Sequence, residues 1–289
     1  MSLEVKEGMF GTAPRVDLWF LLEYGKAWRK KAFPSSHIPD FVKERFFEVQ
    51  DSIPNSRIQL IKRHKNPEKT IKFYIGVSHE LEPKLYEFSL SDYEEILYLD
   101  IPSIISGSSY LKTEPLLLVC THGSHDQCCG KFGINIYKES VKRENGFLTW
   151  QCTHLGGHRF APNLLCLPHG IYYGRIGESG LENLISEYKN KNICLEYYRG
   201  RSCYTADVQA AEYFLRANSG ITKISALHLM EIEKQDKNNS IVKFISKLDG
   251  KIHLIHIQQS QFTMKNYTSC NDTDTSDITQ YHIIEHKTA

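Results

Sequence analysis

Two stretches gather most of the sulfur and imidazole of this chain. They are Cys120-Thr-His-Gly-Ser-His-Asp-Gln-Cys128-Cys129-Gly and Cys152-Thr-His154-Leu-Gly-Gly-His158-Arg-Phe. Five of the eight cysteines (Cys120, Cys128, Cys129, Cys152 and Cys166) fall in one segment of fifty residues, with His122, His125, His154, His158 and His169, and the first 119 residues hold none. Eight cysteines in 289 residues are too sparse for a disulfide scaffold. Thiolate and imidazole are instead concentrated where a metal could use them, as zinc and iron–sulfur centres do.

The spacing says more. Cys120 ends the apolar run Leu116–Cys120, which reads as a buried strand, and Cys129 opens a segment of helical length. Two sulfurs at the ends of one loop can close around a metal, and the positive end of a helix favours thiolate at Cys129. In the second stretch Gly156-Gly157 argues against a helix, so His154 and His158 converge through a tight loop. The helical His-Glu-x-x-His of zinc proteases is therefore not present. Two cysteines and two histidines suit structural zinc, but eight residues between Cys120 and Cys129 are more than a zinc knuckle has. The residues alone leave zinc and iron–sulfur open. No Cys-x-x-Cys occurs, and Arg159 lies seven rather than six residues after Cys152, so neither a thioredoxin redox pair nor a cysteine phosphatase is expected. The vicinal Cys128-Cys129 pair is a redox candidate of its own.

The elements that must position these residues read as α/β (α+β). Leu18–Trp28 is expected to be helical and broken by Pro34 and Pro39, with a second helix from Phe41 ending before Pro54. Arg57–Lys62, Ile71–Val77 and Lys84–Leu90 read as strands, and 106–109 as a linker. The centre then runs strand Leu116–Cys120, helix Phe132–Arg143, strand Phe147–Cys152, strands Asn163–Leu167 and Ile171–Ile176 across 168–170, and helix Leu181–Tyr188. That is the element order of a thioredoxin-like domain. A helix Thr205–Arg216 follows, with Thr205 as N-cap and Gly220 past its end, then strands Ala226–Ile232, Ser240–Lys247 and Lys251–Gln258, and an exposed loop Asn266–Asp277. Three consecutive regions result: 1–112 and 197–289, both mixed α and β, around a thioredoxin-like domain at 113–196 that holds both cysteine–histidine stretches.

Lys+Arg number 35 against 34 for Asp+Glu, so no general basic field is available to hold nucleic acid. The local runs Arg29-Lys30-Lys31 and Lys62-Arg63-His64-Lys65 are short enough to be solvated faces. No apolar stretch approaches the roughly 20 residues of a membrane span, and no secretory pattern opens the chain. A cytoplasmic protein without nucleic-acid or membrane partners is expected.

The sequence resembles the sucrase/ferredoxin-like family of thioredoxin-like 2Fe–2S ferredoxins. The resemblance rests on Cys120–Gly130, on His154-Leu-Gly-Gly-His158-Arg-Phe-Ala-Pro-Asn163, and on Tyr173-Gly-Arg175. It extends to Arg199-Gly-Arg201 with Val208-Gln-Ala-Ala-Glu, and to Gly11-Thr-Ala-Pro-Arg-Val-Asp-Leu-Trp. It implies a 2Fe–2S cluster with Cys120 and Cys129 on one iron and His154 and His158 on the other, as in Rieske centres. Cys128 is an alternative to Cys129, which is preferred because it directly precedes Gly130. Arg159, Asn163 and Arg175 are candidates to hydrogen-bond sulfides or orient imidazoles. The implied function is one-electron transfer, at a higher potential than plant-type ferredoxins, with redox proteins as donor and acceptor. The hydrolase half of the family name is not expected to apply. Glycoside hydrolysis needs a carboxylate pair, and the matching segments supply only Asp126.

Overall fold

Leu18–Glu23 (β1) is apolar at five of its six positions, and all six residues are buried. The helix expected at Leu18–Trp28 is therefore a strand. A continuous apolar run suits a strand covered on both faces as well as a buried helix, and periodicity does not separate the two. The computed structural model describes residues 7–63, 69–144, 146–265 and 275–289. The chain divides by contacts into two units, Val16–Leu155 with Leu164–Gly170, and Met1–Arg15 with Gly156–Asn163 and Ile171–Ala289. They are called here the N-terminal and C-terminal units. This division is not the one into three consecutive regions read from the sequence.

In the N-terminal unit β1 is followed by α1 (Asp40–Ser52), β2 (Ser56–Lys62), β3 (Ile71–Val77), β4 (Lys84–Leu90), α2 (Ile101–Ser106), β5 (Leu116–Cys120), α3 (Gln127–Lys142), β6 (Leu148–Cys152) and β7 (Leu164–Leu167). Its strands lie in the order β4-β3-β1-β2-β6-β5-β7. The β1–β2 and β5–β6 pairs are parallel; the others are antiparallel. The core under α1 is aromatic: Phe20 meets Phe46 edge-on at 5.7 Å between ring centroids, and Phe46 meets Phe73 at 5.9 Å. The parallel β5–β6 pair sets Cys120 beside Cys152, so both stretches of chemistry leave the same end of adjacent strands.

The C-terminal unit holds β8 (Ile171–Tyr173), α4 (Glu178–Lys189), β9 (Tyr198–Arg201), α5 (Ala206–Ser219) and a meander of β10 (Leu227–Lys234), β11 (Asn239–Ser246), β12 (Ile252–Lys265) and β13 (Thr275–Thr288). Val208, Ala211 and Leu215 of α5 pack with Val242, Phe244, Ile255 and Ile257. Thr205 stands at the N-cap of α5 and Gly220 ends the helix at φ 72°, as the sequence indicates. The loop expected at Asn266–Asp277 lies largely outside the described residues, and β13 was not foreseen. The central order β-α-β-β-β-α along the chain is the thioredoxin-like order read from the sequence.

Candidate metal centre

Cys120 is the last residue of β5, and Cys129 the third of α3. The loop joining them is tied to itself. The N–H groups of His125 and Asp126 both donate to the His122 carbonyl at 3.1 Å, and Asp126 Oδ1 accepts from the Cys128 N–H at 2.9 Å as the cap of α3. Gly133 lets helix and strand meet. A Cβ there would stand 2.0 Å from the Cys120 carbonyl oxygen, which no backbone neighbour permits.

His154 is positioned by β2, which pairs with the end of β6 through Ile61 and Cys152. Arg57 Nη2 donates to the His154 carbonyl at 2.6 Å and Nη1 to that of Leu155 at 3.2 Å, while Gln59 Nε2 donates to His154 at 3.2 Å. His122 fixes the residue from the other side. Its Nδ1 accepts the His154 backbone N–H at 3.2 Å, so Nε2 carries the proton and donates to the Arg29 carbonyl at 2.9 Å. Both nitrogens are used in the neutral form only, in keeping with a pKa that burial lowers below the usual histidine value. His125 stacks on His154, with centroids 4.0 Å apart and 23° between planes.

These elements bring the sulfurs of Cys120 and Cys129 and a ring nitrogen of His154 within 4.8 Å of one another, and Cys129 Sγ lies 3.7 Å from His154 Nδ1. Both cysteines are buried. Cys129 donates to Cys120, which holds the Cys120 thiol well below its usual range. Cys129 is pushed up by that bond and by burial. Two adjacent buried negative charges repel, so the pair does not readily hold two thiolates in the absence of a metal. Two soft sulfurs and an imidazole fit zinc or an iron–sulfur centre and suit hard cations poorly.

Cys128, the second residue of α3, is half-buried and lies outside this group. His158, Arg159, Asn163 and Arg175 belong to the C-terminal unit. His158 opens a 3-10 turn that follows Gly156 and Gly157, at φ 94° and 69°. Those backbone angles explain the glycine pair. Asn163 Nδ2 donates to the Gly157 carbonyl at 2.9 Å, while its Oδ1 accepts from Arg199 Nη1 at 2.7 Å. Arg159 forks onto the Glu7 carboxylate at 3.0–3.1 Å, and Arg175 donates to the Glu7 carbonyl at 2.9 Å. Arg57, Gln59 and the roles of His122 and His125 went unseen in the sequence. Cys-x-His-x-x-His was the available signal for the histidines. Nothing local marks Arg57 or Gln59.

The profile of the sucrase/ferredoxin-like family matches residues 9–200. The chain belongs to the sucrase/ferredoxin-like family. Two curated relatives, both called altered inheritance of mitochondria protein 32, come from Meyerozyma guilliermondii and Debaryomyces hansenii. Each is 33% identical, over 98 and 95 residues, or 30% and 29% of this chain. The match spans 35% of the length of each relative. A cysteine-to-serine variant of the thioredoxin-like [2Fe-2S] ferredoxin from Aquifex aeolicus matches 30% of this chain and 99% of its own, with 12% identity and a TM-score of 0.27. Among the described residues no helix is long and apolar enough to cross a membrane.

Proposed function

We propose that this sucrase/ferredoxin-like chain is a one-electron carrier holding a 2Fe–2S cluster on Cys120, Cys129, His154 and His158. The observation that carries the reading is the Cys120/Cys129/His154 group, its two sulfurs buried and its histidine half-buried, met in a chain of this family. Such a cluster alternates between two oxidation states one electron apart. With two imidazoles in place of two thiolates it carries less negative charge, which raises its potential above that of a four-cysteine cluster. The chain's own contribution is orientation. His122, Arg57 and Gln59 fix the backbone of His154, and in the C-terminal unit Asn163 fixes that of Gly157, next to His158. Electron donor and acceptor are redox proteins, and the proposed compartment is the cytoplasm; cell fractionation decides between it and the mitochondrion that the relatives' names mention.

One distance favours a second reading, structural zinc. A spacing of 3.7 Å between Cys129 Sγ and His154 Nδ1 is close to the roughly 3.5 Å separating sulfur and nitrogen on one tetrahedral zinc. Ligands of two different irons stand further apart. Anaerobically purified protein should be red-brown, with about two irons and two acid-labile sulfides per chain. Colourless protein with one tightly held zinc, unable to accept a cluster on reconstitution, decides for zinc.

A further inference from the structure

The loop between Cys120 and Cys129 grips a neighbouring segment of the N-terminal unit at three successive carbonyls. Ser124 Oγ donates to Trp28 at 2.6 Å, His122 Nε2 to Arg29 at 2.9 Å, and His125 Nδ1 to Lys30 at 3.3 Å. Trp28 is buried, edge-on to His122 at 5.7 Å, with Lys62 4.1 Å over its ring. The backbone of 28–30 is thereby fixed against the candidate centre, while the side chains of Lys26, Arg29, Lys30 and Lys31 are exposed. Residues 24–39 contain no acidic side chain, and Asp126, the acidic residue of the gripping loop, is buried as the cap of α3. His125 touches both sides, stacked on His154 and bonded to Lys30.

We propose that Arg29, Lys30 and Lys31, with His125 at their inner edge, form the docking face for a redox protein whose own electron-transfer surface is acidic. The inference rests on the cluster reading given above. A chain with a net charge of only +1 has no long-range field to attract such a partner, so a local patch must do it. Charge placed around the point of electron exit raises encounter rates and selects orientation more than it adds affinity. The stack of His125 on His154 gives the electron a short contact path from a proposed ligand to that face. Nucleic acid is the lesser fit, because a few charges without exposed aromatic residues among them supply neither the stacking nor the extended track that single strands use.

The test uses the cluster-loaded chain, reduced and mixed with small oxidants of opposite charge. The reduced cluster passes one electron to hexacyanoferrate(III), giving hexacyanoferrate(II), or to tris(phenanthroline)cobalt(III), giving the cobalt(II) complex. The rate with the anion should fall as salt is added, and that with the cation should rise. Arg29→Gln, Lys30→Gln and Lys31→Gln together keep the gripped carbonyls. They should slow the anionic reaction roughly tenfold at low salt and flatten its salt dependence, with cluster content and spectrum unchanged. An intact cluster whose rates ignore the triple change overturns the docking face and leaves the carrier reading standing. A chain that accepts no cluster overturns both. Tight binding of a labelled single-stranded oligonucleotide at 150 mM salt, lost in the triple variant, would assign the patch to nucleic acid and overturn the proposal.

Discussion

At the scale of single residues, Cys128 and Cys129 are adjacent in sequence but have different surroundings. Cys129 is buried and grouped with Cys120 and His154, whereas Cys128 is half-buried and lies outside that group. Cys120→Ser and Cys129→Ser should each remove most of the bound metal, because a hydroxyl is a poor ligand for a soft centre. Cys128→Ser should leave metal content near that of the parent chain, and elemental analysis of the three purified variants checks this. Loss of metal in Cys128→Ser with retention in Cys129→Ser would reverse the assignment. His122 offers a separate test, since it ligates nothing in the proposed set and acts by holding the backbone of His154. His122→Phe keeps a ring beside Trp28 but removes the acceptor for the His154 N–H, which costs about 1–3 kcal/mol for a buried donor. Loss of such an outer partner weakens metal binding by about 10–100-fold. Competition with a chelator should show that drop, while His122→Asn, which keeps an acceptor, should recover part of it.

At the scale of elements, the approach of α3 to β5 decides whether the two sulfurs meet. Gly133→Ala would place a methyl group against the Cys120 carbonyl, and forcing the helix outward should cost about 3 kcal/mol and lower metal content with it. Ile134→Ala, on the exposed side of the same helix, should do neither, as thermal melts and metal analysis would show. Helix α5 and strands β2 to β4 were legible in the sequence because caps and local apolar patterns define them. The sulfurs and His154 were legible because β5, α3 and β6 are. Strand β1 was misread, since a segment covered on both faces carries no periodicity. The straps from Arg57 and Gln59 were invisible because they depend on β2 pairing with β6, about ninety residues away. The meander supplies a pH test. His253 Nδ1 lies 3.0 Å from His286 Nε2, and burial lowers both pKa values below the usual 6.5, with the neighbouring His286 charge lowering that of His253 further. Unfolding raises these pKa values, so as pH falls the unfolded chain takes up protons first. Stability is then full above about pH 6.5 and declines below it, by up to about 1.4 kcal/mol per pH unit for each proton. His253→Asn should flatten that acid limb in thermal melts from pH 7.5 to 5, and an unchanged limb would exclude the pair as its source.

At the scale of the whole molecule, the C-terminal unit draws its first residues from one end of the chain and its body from the other. Thr12 accepts from Arg199 through its Oγ1 at 3.1 Å and its carbonyl at 2.7 Å, and its own N–H donates to the Arg199 carbonyl at 3.2 Å. Ala13 exchanges two hydrogen bonds with the Gln209 side chain at 3.1 and 3.0 Å, and Arg15 donates to the Cys203 carbonyl. These contacts join residues 187 to 196 positions apart, which is why a reading by consecutive regions placed residues 1–112 together. They also concern groups with little access to water, since Arg199 is 1% exposed and Gln209 fully buried. A chain lacking its first 15 residues would leave the Arg199 guanidinium and the Gln209 amide short of partners inside the unit. Each such loss costs about 1–3 kcal/mol, and more for the charged group, from a total stability of about 5–15 kcal/mol. The unfolding transition of the truncated chain should fall by about 10 °C, and amide exchange should quicken in β9 and α5. Arg199→Met with Gln209→Leu removes the stranded groups themselves, so combining that pair with the truncation should recover part of the loss. A truncated chain that melts and exchanges like the full one would mean that the N-terminal segment rests on the C-terminal unit without supporting it.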